Sequence, residues 1–186
     1  GDIMNKISKL FYLHSNCLLA ISITAVWGFY LSFLLIGKAV EFQVPNSNIQ
    51  SLGTTFGFEE AKISNFLMSR SAQMIRSYID LLLIWDMVFA VIYGMMHVVW
   101  ISFLLKHKSS HFGRLNLFPL NQVFFDFLEN YELSVICNQY LVDGTFSSGA
   151  AQRASIYCMI KWSCYVLTIA LIFIGVLLFI LRNLKK

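Results

Sequence analysis

The stretch FDFLEN, residues 125–130, decides how this chain is read. It sets Asp126 and Glu129 three residues apart, with Asn130 directly after. On a helix these three share one face. Apolar sequence flanks them, NQVFF before and YELSVIC after. An ionised side chain at mid-bilayer costs about 2.5–3.5 kcal/mol on insertion scales. Carboxylates in such a setting must face inward, pair, hold protons or meet water.

Working outward, the composition agrees with a membrane setting. Of 186 residues, 58% are hydrophobic and only 13% are charged, and the mean hydropathy is +0.66. Soluble domains carry roughly 25% charged residues. Four stretches are long enough to cross a bilayer, which takes about 20 helical residues. They lie roughly at 10–37, 79–105, 115–141 and 156–181, the third being the most polar. The expected fold is therefore all-α: a polytopic, four-transmembrane-helix bundle forming one membrane domain over 1–186. The residues GDI before Met4 read as an appended scar. The first apolar run is too long for a signal-peptide core and no small-x-small site follows it, so it is expected to remain as a span.

Orientation follows from lysine and arginine near the span ends. Lys6 and Lys9 precede the first span, Lys106, Lys108 and Arg114 lie between the second and third, and Arg182, Lys185 and Lys186 follow the fourth. The opposite side mixes Lys38, Lys62, Arg70, Arg76 and Arg153 with Glu41, Glu59, Glu60, Asp80 and Asp143. Both termini are thus expected in the cytoplasm, with a long outer loop over 38–78. The first half of that loop, EFQVPNSNIQSLGTT, has turn chemistry. Its second half, FEEAKISNFLMSRSAQMIRSY, carries Ile63, Phe66, Leu67, Met74 and Ile75 at roughly helical spacing, so an amphipathic helix is expected to cap the bundle.

The polar residues within the spans fall on stripes. Asp86, Ala90, Tyr93 and His97 share one face of the second span, Asp126, Glu129 and Asn130 one face of the third, and Lys161, Cys164, Tyr165 and Thr168 one face of the fourth. Their depths below the outer ends of the spans differ by about 10 Å at most at 1.5 Å per residue. They are expected to meet in a carboxylate-lined pocket in the outer half of the bundle, under the loop helix.

Four pieces recur in a recognisable order. FEEAKISNFLMSRSAQMIRSY is a Glu–Ala loop helix ending in an aromatic, and DMVFAVIYG sets Asp86 seven residues before Tyr93–Gly94. FPLNQVFFDFLEN puts Pro119 ahead of D-x-x-E-N, and Lys161–Trp162 opens the last span. Over about residues 57–165 this order resembles an uncharacterised family of small four-span bacterial membrane proteins. The resemblance singles out Asp86, Tyr93, Gly94, Pro119, Asp126, Glu129, Asn130 and Lys161, implies a bacterial inner membrane, and brings no reaction with it. The chain departs from that pattern in having no proline in its second span (FAVIYG) and no Gly–Arg in the loop helix.

Several functions fit these residues. A lipid-like or small polar ligand would place its head group against Asp86, Asp126, Glu129, Asn130 and Lys161, with Tyr93 and His97 alongside. Chemistry on it would use Glu129 as general acid and Asp86 as base, with Asp126 beside them; only Tyr93 and Cys164 stand as nucleophiles by position. The same oxygens suit Mg²⁺ or Ca²⁺, whereas no His/Cys set suits zinc. A proton path through His14, Asn16 and His97 runs against the wholly apolar end IALIFIGVLLFILR. The alternative is a non-catalytic accessory subunit whose buried polar network only fixes helix packing, with another membrane protein or a second copy as partner. No basic stripe interleaved with exposed aromatics is present, which excludes a nucleic-acid surface. Cys137 and Cys158 flank one loop and are placed to bridge if it faces an oxidising side; otherwise they read as buried small hydrophobes.

Overall fold

In a computed structural model, the protein is described over residues 2–45 and 51–184. Gly1, the turn-rich residues 46–50 and the cations Lys185 and Lys186 lie outside the described residues. The fold is all-α, with no strand among the described residues. Its helices are α1 (Asp2–His14), α2 (Cys17–Phe33), α3 (Glu60–Met68), α4 (Ala72–Asp80), α5 (Asp86–Leu105), α6 (Ser109–Phe112), α7 (Leu120–Asp143) and α8 (Ser148–Asn183). Three helical stretches among the described residues are long and apolar enough to cross a membrane: Cys17–Glu41, Ala72–Phe112 and Ser148–Asn183. The 24-residue α7 is long enough, about 36 Å at the helical rise, but its acidic residues keep it out of that apolar class.

The first apolar run is not one rod. It breaks at Ser15–Asn16, and the break is stabilised from both sides. Asn16 caps α2 by accepting from the Leu19 amide at 2.9 Å. Lys106 donates to the carbonyls of Leu13 at 2.8 Å and Ser15 at 3.3 Å. These are the acceptors that a helix C-terminus leaves without intrahelical partners. Helix α1 then lies across one end of the bundle. Ser8 donates to Asn116 Oδ1 at 2.6 Å, and Tyr12 packs with Ile101, Leu105 and Leu178. Ile3, Ile7 and Leu10 stay exposed on its other face.

The loop helix is also divided. Helices α3 and α4 meet at Ser69–Ser71, and Ser71 caps α4 by accepting from the Met74 amide at 3.3 Å. Arg70 turns beneath this corner, donating to the Phe42 carbonyl at 2.8 Å and the Phe66 carbonyl at 2.9 Å, with its guanidinium 3.6 Å from the Phe66 ring centre. Burial lowers the Arg70 pKa from the ordinary arginine value. From α4 the chain passes through one wide turn, Leu81–Trp85, into α5, so the second span is a continuous helical rod that begins in the lid.

The largest apolar core lies under this lid. Phe42, Phe66 and Tyr78 pack ring against ring, with centroids 4.7–6.5 Å apart. Around them sit Leu52, Ile63 and Ile75, and below them Leu133 and Ile136 of α7 and Ala150, Ala151 and Ala154 of α8. The lid therefore closes the bundle through its own core. At the opposite end, α1, residues 106–117 and the last turns of α8 come together, bringing Lys6, Lys9, Lys106, Lys108, Arg114 and Arg182 to one end. Helix α7 runs between the two ends and packs mainly on α8. Helices α2 and α8 both pack on α5 but touch each other slightly at most. Close backbone approaches set the spacing. A Cβ on Gly94 would collide with Val123 Cγ2, and one on Gly175 would meet Leu104 Cβ at 2.9 Å.

Candidate functional site

The three polar stripes converge below the lid. Lys161 is the hub, and its ammonium has three N–H donors. Its Nζ lies 3.0 Å from Asp126 Oδ1, 2.5 Å from Glu129 Oε2 and 3.2 Å from the Gly53 carbonyl oxygen. The ammonium is thus ion-paired with two carboxylates and donates to one carbonyl. The Tyr93 hydroxyl donates to the other oxygen of Asp126 at 3.0 Å. Asn130 donates to Asp86 Oδ2 at 2.9 Å. Helices α5, α7 and α8 are cross-linked through charge and hydrogen bonds at one level. Glu132 stands apart, accepting from Arg153 Nε at 2.7 Å and Nη2 at 3.0 Å.

Gly53 is the member that sequence reasoning missed. It sits in a turn, Leu52–Thr54, pressed onto the cluster. Its carbonyl accepts from Lys161 and from Trp162 Nε1, each at 3.2 Å. A Cβ there would come within 2.7 Å of Glu129 Oε1. Only a residue without a side chain lets the backbone approach this closely. The turn is held from below by Tyr78, whose hydroxyl accepts from the Leu52 amide at 3.4 Å. Cys158 donates to the Thr55 carbonyl at 3.0 Å. Nothing in the turn's own sequence marks it as a partner of residues far along the chain.

Beside the cluster runs a cavity of about 710 Å³. Its polar end is formed by Gly53, Asp86, Asp126, Asn130 and Lys161. Its walls are Thr24 and Trp27 from α2, Phe89, Tyr93, Met96, His97 and Trp100 from α5, and Trp162, Tyr165, Ile169, Ile172 and Val176 from α8. Along α5 the lining runs from Asp86 to Trp100, which at 1.5 Å per residue is roughly 21 Å. It lies in the wedge between α2 and α8. Ile169, an edge residue, is 41% exposed, so the wedge opens sideways.

The expected residues separate on this geometry. Asp86, Tyr93, His97, Asp126, Asn130 and Lys161 all line the cavity. Glu129 does not: it is fully buried behind Gly53. Glu129, considered above as the acid, thus does not border the cavity. Cys164 is not on the wall, and Tyr93 has its hydroxyl engaged by Asp126. Cys137 and Cys158 are free thiols, both fully buried; the bridge considered for them is not formed, and Cys137 sits in the lid core. Among the described residues no group of three His, Cys, Asp or Glu side chains is arranged to hold a metal ion. Of the four residues considered for Mg²⁺ or Ca²⁺, Asp126 and Glu129 are ion-paired with the Lys161 ammonium.

Two further polar atoms on the cavity wall have no hydrogen-bond partner among the described residues: His97 Nδ1 and Gln122 Oε1. Both residues are buried, at 5% and 6% exposure. His97 is one turn beyond Tyr93, and Gln122 one turn before Asp126 on the antiparallel α7, so both lie deeper than the ion cluster. Comparison of the chain with protein-family models, with curated proteins and with solved structures found no match.

Proposed function

We propose that this integral membrane protein binds a lipid-like amphiphile, with its head group at the polar end of the cavity and its tail along the apolar groove. The observation that carries the reading is the cavity's shape and polarity. A cluster of charged and amide side chains closes one end, and the rest is lined mostly by aromatic and aliphatic side chains, with Thr24, His97 and Gln122 among them. Its length of roughly 21 Å exceeds the hydrocarbon depth of one leaflet, about half of a 30 Å core. The open wedge between α2 and α8 gives a membrane-dissolved molecule lateral access without crossing water. In this reading α7 crosses the bilayer as a fourth span. The basic end faces the cytoplasm and the lid faces outward, as in a bacterial inner membrane.

Native mass spectrometry of the protein released from its own membranes tests this. The wild type is expected to carry a discrete added mass of some hundreds of daltons. Ile172→Trp, which fills the groove away from the ion cluster, is expected to fly bare. Bare spectra from both would sink the proposal.

A second reading, a structural network in an accessory subunit, is favoured by one observation. Glu129 is walled off from the cavity, and its ion pair with Lys161 joins α7, α8 and the Gly53 turn without any ligand. Buried polar contacts between membrane helices are worth about 0.6–2 kcal/mol each, enough to fix register. If both spectra are bare, this reading takes over and a partner protein is the next thing to seek.

A further inference from the structure

We infer that the head group taken at this site is a cationic amine, seated on Asp86 against Trp27, Phe89 and Tyr93. This rests on the amphiphile reading above and names its ligand class.

The argument begins with charge. Three carboxylates, Asp86, Asp126 and Glu129, gather at the polar end of the bundle around a single ammonium, Lys161. Lys161 is ion-paired with Asp126 and Glu129 and donates to the Gly53 carbonyl, so its charge is already countered by two carboxylates and attracts a phosphate or carboxylate on a ligand weakly. The Trp162 N–H is likewise committed to Gly53. Among the described residues Asp86 is the carboxylate of the three with no ion pair; its hydrogen-bond partner is the neutral amide of Asn130. It is also partly buried and on the cavity wall. A carboxylate in a low-dielectric site is stabilised by a counter-charge within reach. Here that charge is left for the ligand to bring.

The neighbours suit an ammonium. Phe89 and Tyr93 follow Asp86 by three and seven residues on the same face of α5, with ring centroids 5.3 Å apart. Trp27 of α2 packs against the same group. Aromatic faces beside a carboxylate form the usual cage for ammonium groups, and their attraction for a cation grows once water is excluded. Deeper in the cavity, His97 Nδ1 and Gln122 Oε1 are two buried polar atoms with no partner among the described residues. They are independent of the acidic cluster and fit a hydrogen-bonding linkage, such as an amide, ester or hydroxyl, between head and tail. Beyond them Ile169, Ile172 and Val176 offer only apolar contact.

The test uses the full chain in nanodiscs of phosphatidylglycerol, which contain no amine. Three amphiphiles of equal chain length are titrated: an alkyltrimethylammonium, an alkyl glucoside and an alkyl phosphate. Binding is read from tryptophan fluorescence, since Trp27, Trp100 and Trp162 line the cavity. The ammonium probe is expected to bind about tenfold more tightly than the other two. Asp86→Asn, which keeps an acceptor for Asn130, is expected to erase that preference while all three probes still bind weakly. Asp86→Glu is expected to keep it, and it covers the case in which the amide variant fails to fold. Equal binding of the three probes, or a preference for glucoside or phosphate, overturns the amine inference and leaves the amphiphile reading standing. Binding of none overturns both.

Discussion

At the scale of single residues, Lys161 shows why a charge can sit in an apolar bundle. Its ammonium replaces lost water with two carboxylates and a carbonyl, and each carboxylate is held by it in turn. Such a cluster is not a large source of stability, because desolvation offsets much of the attraction. Breaking it from one side is different, since the remaining charges stay buried and uncompensated. Lys161→Met is therefore expected to destabilise the protein by about 3–5 kcal/mol, read as a lowered Tm in detergent. Lys161→Met combined with Glu129→Gln is expected to recover part of that loss, because one of the stranded carboxylates becomes neutral. A single variant as stable as wild type would mean that the cluster is not held by charge. The stripe positions of Asp86, Tyr93, Asp126 and Lys161 were legible in the sequence, because helical spacing is a local property. Gly53 was not, because its role depends on Glu129 and Lys161 arriving beneath it from far along the chain.

At the scale of elements, the lid determines how the polar end is closed. Helices α3 and α4 bury Ile63, Phe66, Leu67, Ile75 and Tyr78, and this packing holds the 52–54 turn over the cluster. Truncating a buried phenylalanine costs about 3–5 kcal/mol through lost contacts and the cavity left behind. Phe66→Ala is expected to loosen the lid before the spans, because those spans do not depend on its ring. Limited proteolysis should then cut between 51 and 71 while the helical circular-dichroism signal persists. Simultaneous loss of both signals would show that lid and spans unfold as one unit. The sequence carried the amphipathic pattern of this segment but not its division at Ser69–Ser71. The Ser71 cap is a local signal, but it competes with an apolar periodicity that runs through it. The break at Ser15–Asn16 was hidden likewise, since half of what stabilises it is the Lys106 side chain.

At the scale of the whole molecule, the question is how α7 lies in the bilayer. It joins the basic end to the lid end, yet its acidic residues set it apart from the three apolar stretches. Its carboxylates are tolerated because α5, α8 and the lid cover them. If α7 crosses, the segments on either side of it lie on opposite faces of the membrane. Ser110→Cys and Thr145→Cys are then expected to react with a membrane-impermeant maleimide from opposite sides, above the wild-type background. Labelling of both from one side would leave three crossings and make α7 a packed, non-spanning helix.

The sequence by itself determined the class and the ingredients. Apolar runs of bilayer length, lysines and arginines gathered near particular span ends, and three polar helical stripes are properties of neighbouring residues. They can be read without knowing what touches what. Only the tertiary structure decided which stripe atoms meet. It brought Lys161 between Asp126 and Glu129, moved Glu129 behind Gly53, left Asp86 on the cavity wall, and kept α2 and α8 apart so that a groove remains. The physical reason is that periodicity fixes the direction in which a side chain points along its own helix. The rotation and spacing of one helix against another are set by close contacts such as Gly94 on Val123 and Gly175 on Leu104, which no single segment contains.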